Sequence, residues 1–282
     1  MLGFGSVLVI CLLLVKGSSA GEAPSTHKRS DPRRIGIGEY TKIECAPFIV
    51  SIQRDGYHFC SGSLIAPNYV VTAGVCVFGQ NTKNLMIRAG SSCTKNGGQL
   101  VPVKDYLINH NFNPITKRGD IAVILLKHAV VINGVTTRTI GRPQRLQLPT
   151  SCGGGYIYGW EQMRTAGFLP NTRLKRAPVL IGRQLPCGTA YRHNECSIHA
   201  GNLCAVTHNF NSCVGDIGSP VVRKNLIVAV VSWCRGCAQI PLPCVLSSMS
   251  YFDAFITNAT RILNDELNRG DYNGFKLFER NG

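Results

Sequence analysis

Acidic side chains are scarce in this sequence: 15 Asp and Glu stand against 30 Lys and Arg, a formal net charge of +15 over 282 residues. The excess is spread along the chain rather than packed into one block. It describes either a solvated basic surface or a field that attracts acidic partners, glycosaminoglycans and anionic cell surfaces among them. Aromatic and basic residues do not interleave and no recognition-helix motif accompanies the charge, which argues against nucleic acid. Long apolar runs are missing after residue 20, so no membrane span is expected beyond it. Paired C-x-x-C motifs with a downstream H-x-x-x-H are missing too. Cys234 and Cys237 form a lone C-x-x-C, which in an oxidising compartment says little for zinc or redox chemistry. Neither a metal nor a cofactor is expected. No internal repeat runs at a fixed period, and helical periodicity is confined to one stretch near the C-terminus.

What is present points to a secreted chain. Residues 1–20 carry an apolar run from Val7 to Val15 followed by Ser18, Ser19 and Ala20, the pattern of a secretory signal peptide cut near Ala20. Of 13 cysteines Cys11 lies in that segment, which leaves an even number for disulfides. Residues 21–34, GEAPSTHKRSDPRR, are polar, hold two prolines and two dibasic pairs, and read as an unfolded pro-segment open to proteolysis. From Ile35 the chain becomes a series of short β-branched or alternating runs, FIVSIQ, SLIAP, YVVTA, LMIRAG, IAVILL, YIYGW, PVVRK and LIVAVVSW, separated by Gly, Pro and Asn clusters. Such a series predicts an all-β sandwich or barrel. Helical spacing over 251–267 predicts one amphipathic C-terminal helix, followed by a polar tail over 268–282 with Phe275, Leu277 and Phe278 as its apolar residues. The sequon Asn258-Ala259-Thr260 lies on that helix and becomes a glycosylation site where the face is exposed.

One stretch is out of character. In CVGDIGSP, residues 213–220, glycines and a proline describe a tight exposed turn, yet its middle is the β-branched Ile217. The stretch is one of six, in order, that carry a resemblance: CSGSLIAPNYVVTAGVC (60–76), HNFNPITKRGDIAVILL (110–126), YIYGW (156–160), NLCAV (202–206), CVGDIGSPVV (213–222) and VSWCRGCA (231–238). Together they resemble the chymotrypsin/trypsin family of serine proteases over nearly all of residues 35–264. The resemblance implies two antiparallel six-stranded β-barrels, one over about 35–135 and the other over about 150–250, with the active site in the crevice between them and a helix closing the C-terminus.

That family's chemistry needs a serine to attack, a histidine to take its proton, an aspartate to orient the histidine, and backbone amides for the oxyanion. By resemblance the histidine belongs where Val75 stands and the nucleophile where Ile217 stands, while the aspartate is present as Asp120. Valine and isoleucine offer neither a lone pair nor a transferable proton, so no rotamer restores either role. Ile217 then reads as an apolar plug, and Asp120 as a structural carboxylate satisfied by amides near Ala73 and the hydroxyl of Ser232. Gly215 and the Ile217 amide correspond to the oxyanion donors. Arg34 and Ile35 resemble the activation junction, with Asp216 as the carboxylate that meets the new isoleucine ammonium; cleavage there is either a switch that orders the crevice loops or simple removal of the pro-segment.

At the specificity pocket the resemblance places Asn211 where trypsin-like members have an aspartate, and Cys234 and Cys244 at two wall glycines that face each other. A disulfide between these two would shut the pocket. Three further bridges follow by resemblance: Cys60 with Cys76, Cys187 with Cys204, and Cys213 with Cys237. Cys45, Cys93, Cys152 and Cys196 are left with three open connectivities, and Arg223 occupies the place of the partner that the family would offer near Cys152. His58 and His110 stand where the family often has structural histidines.

The expectation is therefore a secreted serine protease homologue without its catalytic pair, of a kind common in insects. It would act by binding secreted proteins such as active proteases, their inhibitors or their substrates, as a cofactor, decoy or regulator in an extracellular protease network or a reproductive or immune fluid. Residues 21–34 contain no cysteine, which disfavours a clip-type cofactor. Two alternatives stay open: a weak serine-type endopeptidase with a non-standard mechanism, and a polyanion-binding surface protein.

Overall fold

Alternation of buried and half-buried side chains along LMIRA and QLVPVKDYLI makes half-buried strands of these segments, while AVILL and LIVAVVSW are apolar on both sides and run where both faces are covered. The computed structural model describes residues 38–144, 153–160, 172–192, 198–206, 216–234 and 243–269, all within Ile35–Gly282, one of the two units into which the chain divides. The expected signal peptide and pro-segment, Arg34, Ile35, Cys152, Cys196, Asn211, Cys213, Gly215, Cys237 and the tail from residue 270 lie outside the described residues.

The strands in chain order are β1 (Glu39–Tyr40), β2 (Ile49–Arg54), β3 (Tyr57–Ala66), β4 (Tyr69–Thr72), β5 (Leu85–Ala89), β6 (Gln99–Ile108), β7 (Ala122–Leu126), β8 (Gly153–Gly159), β9 (Lys175–Gly182), β10 (Asn202–Val206), β11 (Pro220–Arg223), β12 (Leu226–Trp233) and β13 (Cys244–Ser248). Pairing β2-β3-β4-β7-β6-β5 closes the first barrel, and β9-β10-β13-β12-β11-β8, with β8 also bonded to β9, closes the second. All these pairings are antiparallel. The expected two six-stranded barrels are present. One strand departs from a division of the chain by sequence order: β1, which precedes all strands of the first barrel, pairs with β9 of the second, Tyr40 opposite Lys175. A two-residue strand carries no periodicity, so only the available edge decides its partner.

Helix α1 (Leu185–Ala190) precedes β10, and α2 (Asp253–Arg269) is the C-terminal helix, two residues later at each end than its periodicity suggests. Asp253 in its first turn sits at the positive end of the helix dipole.

Three clusters explain why the apolar runs are where they are. Ala122, Ile124 and Leu126 of β7 point into the first barrel with Leu64, Val70 and Ile87. Val123 and Leu125, on the opposite face, join Tyr158, Trp160, Val230 and the Ile256–Ala259–Leu263 stripe of α2 in a core shared by both barrels and the helix. Ile157, Val179, Val221, Val231 and Leu246 fill the second barrel. Among the described residues no helix is long and apolar enough to cross a membrane.

Candidate functional site

Three backbone segments meet where the barrels touch. The first is the turn Gly74–Cys76 that follows β4, held to β3 by the disulfide Cys60–Cys76, with 6.1 Å between the two Cα atoms. The second is the entry to β7 at Asp120, and the third is the loop 216–219 before β11. That loop is held between the barrels: the Ser61 amide of β3 donates to the Ile217 carbonyl at 2.9 Å, and the Gly218 amide donates to the Val231 carbonyl of β12 at 2.8 Å. Gly218 has φ +81°, and a Cβ there would lie 2.2 Å from both the Ser61 carbonyl and the Thr72 hydroxyl, so only glycine permits this approach.

The side chains of Val75 and Ile217 are half-buried and pack against the first barrel's core together with Phe59 and Phe112. Phe112 meets Phe78 edge-on at 5.5 Å, and Phe78 is 39% exposed. Val75, Ile217, Phe59 and Phe112 thus rest on one apolar core, and Phe78 joins it through Phe112. Asp120 is fully buried; its Oδ1 accepts from the Val75 amide at 2.8 Å and its Oδ2 from the Ser232 hydroxyl at 2.5 Å. Burial pushes its carboxyl up to about 6, against the opposing pull of these two donors.

A second buried carboxylate was visible in the sequence only as a candidate partner for Ile35. Asp216, 2% exposed, accepts at Oδ2 from the Trp160 amide at 2.8 Å and the Ser61 hydroxyl at 2.9 Å, and its Oδ2 lies 3.0 Å from His58 Nε2. His58 Nδ1 in turn lies 2.8 Å from the Ser51 hydroxyl. This relay of Ser51, His58 and Asp216 joins residues 158 positions apart, and no local motif announces it. Its only sequence signal was a histidine two residues before Cys60.

Cys187 is bonded to Cys204 and Cys234 to Cys244, the latter with Cα atoms 4.4 Å apart. Neighbouring strand ends of β12 and β13 bring Cys234 and Cys244 together, beside Trp233, whose ring meets Tyr191 at 4.5 Å. Cys45 and Cys93 are unpaired. The Arg223 guanidinium lies where a Cβ on Gly153 would stand, 2.3 Å from its Nη2, so its charged head covers the strand beside residue 152. A bridge of ten residues' separation that restrains β12 to β13 raises stability by about 3 kcal/mol through the unfolded chain. Replacing both Cys234 and Cys244 by Ala is expected to lower the unfolding free energy read from urea denaturation by about 3 kcal/mol, and peptide mapping of the native chain to recover the two cysteines linked.

Asn258 is exposed on α2, where its Oδ1 accepts from Arg261 at 2.8 Å. It borders a cavity of about 270 Å³ between His110, Leu107 and the Phe255–Ile262 face of the helix. That cavity is apart from the crevice. Among the described residues no group of three or more His, Cys, Asp or Glu could hold a metal ion.

Two closed antiparallel barrels, joined through a shared core and meeting at an Asp-Ser pair and a glycine-bearing loop, define a protein of the two-barrel serine protease class. A family model described as Trypsin matches residues 35–256, and the chain belongs to that family. It is similar to Hypodermin-A of Hypoderma lineatum, 31% identical over 231 residues that cover 82% of this chain and 88% of that protein. Trypsin beta of Drosophila erecta is 30% identical over 250 residues, covering 89% and 98%. Among solved structures, the scabies mite inactivated protease paralogue S-D1 superposes with a TM-score of 0.73 at 26% identity, covering 79% of this chain and 96% of that one. Mouse neuropsin superposes with a TM-score of 0.71 at 21% identity, covering 80% and 100%, a likeness of fold.

Proposed function

We infer that this chain is a secreted, non-catalytic member of the trypsin family that acts by holding a partner protein at the crevice between its barrels. One observation carries the reading: the positions from which the family's base and nucleophile would act, Val75 and Ile217, are two hydrocarbon side chains packed on one core, with Asp120 engaged by an amide and a hydroxyl beneath them. An apolar mouth of Phe59, Val75, Phe78, Phe112 and Ile217 favours an apolar peptide segment of an active protease, an inhibitor or a protease substrate. The likeness to a protease paralogue whose title calls it inactivated fits this reading. Cleavage between Arg34 and Ile35 then frees an ammonium that competes with His58 for Asp216, and Asn258 carries an N-linked glycan.

Selection of a displayed peptide library on the mature chain tests the proposal. Enriched peptides are expected to be apolar, to survive intact, and to lose at least about tenfold in affinity with Ile217→Glu, which buries a charge in their site. Hydrolysis of the selected peptides, abolished by Asp120→Ala, would establish instead a residual endopeptidase.

A further inference from the structure

The cavity of about 270 Å³ between α2 and the first barrel is walled by Leu107 of β6, His110 and the helix residues Ala254, Phe255, Ala259 and Ile262. Its lining is hydrocarbon and one aromatic ring beside a single imidazole, with the Asn258 amide at its border. Phe255 and Ile262 are half-buried and pack against the core that the barrels share. One turn further along, the Tyr69 hydroxyl of β4 donates to the Thr260 carbonyl at 3.1 Å, which ties the helix to the barrel and fixes the two walls relative to each other.

Residues three and four apart are neighbours on a helix surface, so Asn258 has Phe255 and Ala254 on one side and Ile262 on the other. Helical side chains lean toward the N-terminus of their helix, which carries this amide toward the Ala254–Phe255 turn. Asn258 is exposed and opens the sequon completed by Thr260. Its Oδ1 accepts from Arg261 at 2.8 Å, which leaves Nδ2, the atom that bears an N-linked sugar, on the opposite edge of the amide.

We propose that the first N-acetylglucosamine of a glycan on Asn258 is seated in this cavity, with its ring against Phe255, and clasps α2 to the first barrel. The inference rests on the glycosylation of Asn258 stated above. Attachment forms a bond from Asn258 Nδ2 to the anomeric carbon of an oligosaccharide carried on a lipid diphosphate. The bond from that carbon to the diphosphate oxygen breaks, the diphosphate leaves with the electron pair, and Nδ2 gives up one of its two protons.

Three features select this occupant over a free ligand. The sugar is tethered to the cavity's own border, so its seating is intramolecular and loses little translational freedom. At about 270 Å³ the space lies below the roughly 300 Å³ at which pockets for free small molecules begin, and suits one ring. A pyranose has an apolar C–H face and polar edges, which match the Phe255 ring and the His110 imidazole, and seating it takes half-buried Phe255 and Ile262 out of water.

The test uses the full chain secreted from insect cells, either with its whole glycan or trimmed enzymatically to one sugar, and the variants Thr260→Ala and Thr260→Ser. Peptide mapping is expected to find Asn258 modified in the native and Thr260→Ser chains and unmodified in Thr260→Ala. Hydrogen exchange over residues 254–262 is expected to be equal in the whole-glycan and single-sugar chains and about fivefold or more faster in Thr260→Ala, with Thr260→Ser restoring protection. Nuclear Overhauser contacts should join the sugar ring to Phe255, and Ala254→Phe, which fills the cavity from an exposed position, should abolish them. A single-sugar chain that exchanges as fast as Thr260→Ala, or a sugar without contact to Phe255, would overturn the seat while leaving the glycan. An unmodified Asn258 would overturn both. Protection indifferent to the sugar but lost on deletion of residues 270–282 would give the cavity to the polar tail instead. Thr260→Ala keeps the apolar peptides selected on the crevice, so failure here and failure of the crevice reading are separate outcomes.

Discussion

A fluorophosphonate probe is expected to leave the native chain unlabelled after trimming behind Arg34, and to label it only when Val75→His and Ile217→Ser are combined. The probe needs a hydroxyl made nucleophilic by a neighbouring base, and neither single substitution supplies both. Members of such a pair act as a unit, so that lacking either costs on the order of 10⁶ in turnover, and each single variant should remain at the native background. Among the described residues, Asp120 and the loop of residue 217 are in position for the double variant. Asp120 already faces the residue-75 turn with one oxygen on its amide, and the Ile217 carbonyl anchors its loop to the Ser61 amide. Peptide turnover should lag far behind labelling, because the Cys234–Cys244 bridge stands beside Trp233 where a substrate side chain would enter. Mass spectrometry of the labelled chain locates the adduct. Labelling of the native chain at any residue of the crevice would end the non-catalytic reading.

The second large effect is a dependence of stability on pH that runs opposite to ordinary acid denaturation. Burial raises the Asp120 carboxyl from its ordinary 3.8 to about 6. The folded chain therefore holds a proton between these values that the unfolded chain releases. The resulting stabilisation is complete below pH 4 and is lost as pH rises through 6, about 3 kcal/mol in all. Asp120→Asn keeps a carbonyl oxygen for the Val75 amide and removes the titration. In urea unfolding from pH 4 to 7, the native chain minus the Asn variant should slope downward by that amount, the subtraction removing the contribution of all other groups. A flat difference would mean that the two donors hold Asp120 ionised at little cost.

Much of the fold was legible because the barrels are built from short runs whose polarity follows the period of a strand. LIVAVVSW is β12 to the residue, and PVVRK runs one residue past β11. The strand β9 was hidden: KRAPVLIG opens on two cations and contains a proline, and its buried alternation, Ala177, Val179 and Ile181, shows only once the barrel around it is known. The site divides in the same way. Val75, Asp120, Ile217, Cys234 and Cys244 could be named from their motifs, since each motif carries its own glycine, cysteine or proline frame. His58 could be seen but its link to Asp216 could not, because the two lie on different barrels and nothing near either one in the chain refers to the other.

The residues alone determined an all-β chain of short strands with one C-terminal helix, hydrocarbon at positions 75 and 217, and a strongly basic balance, because side-chain chemistry and strand periodicity are local properties; the division into two barrels was implied by the motifs' resemblance to the family. Only the tertiary structure decided that β1 crosses to the second barrel, that Asp216 is held by His58 and Ser61, that Cys45 and Cys93 stay apart, and that cations gather on Tyr40. Each of these depends on which edges and faces meet when two closed sheets share one core, and distance in space between remote residues is not written in either neighbourhood of the chain.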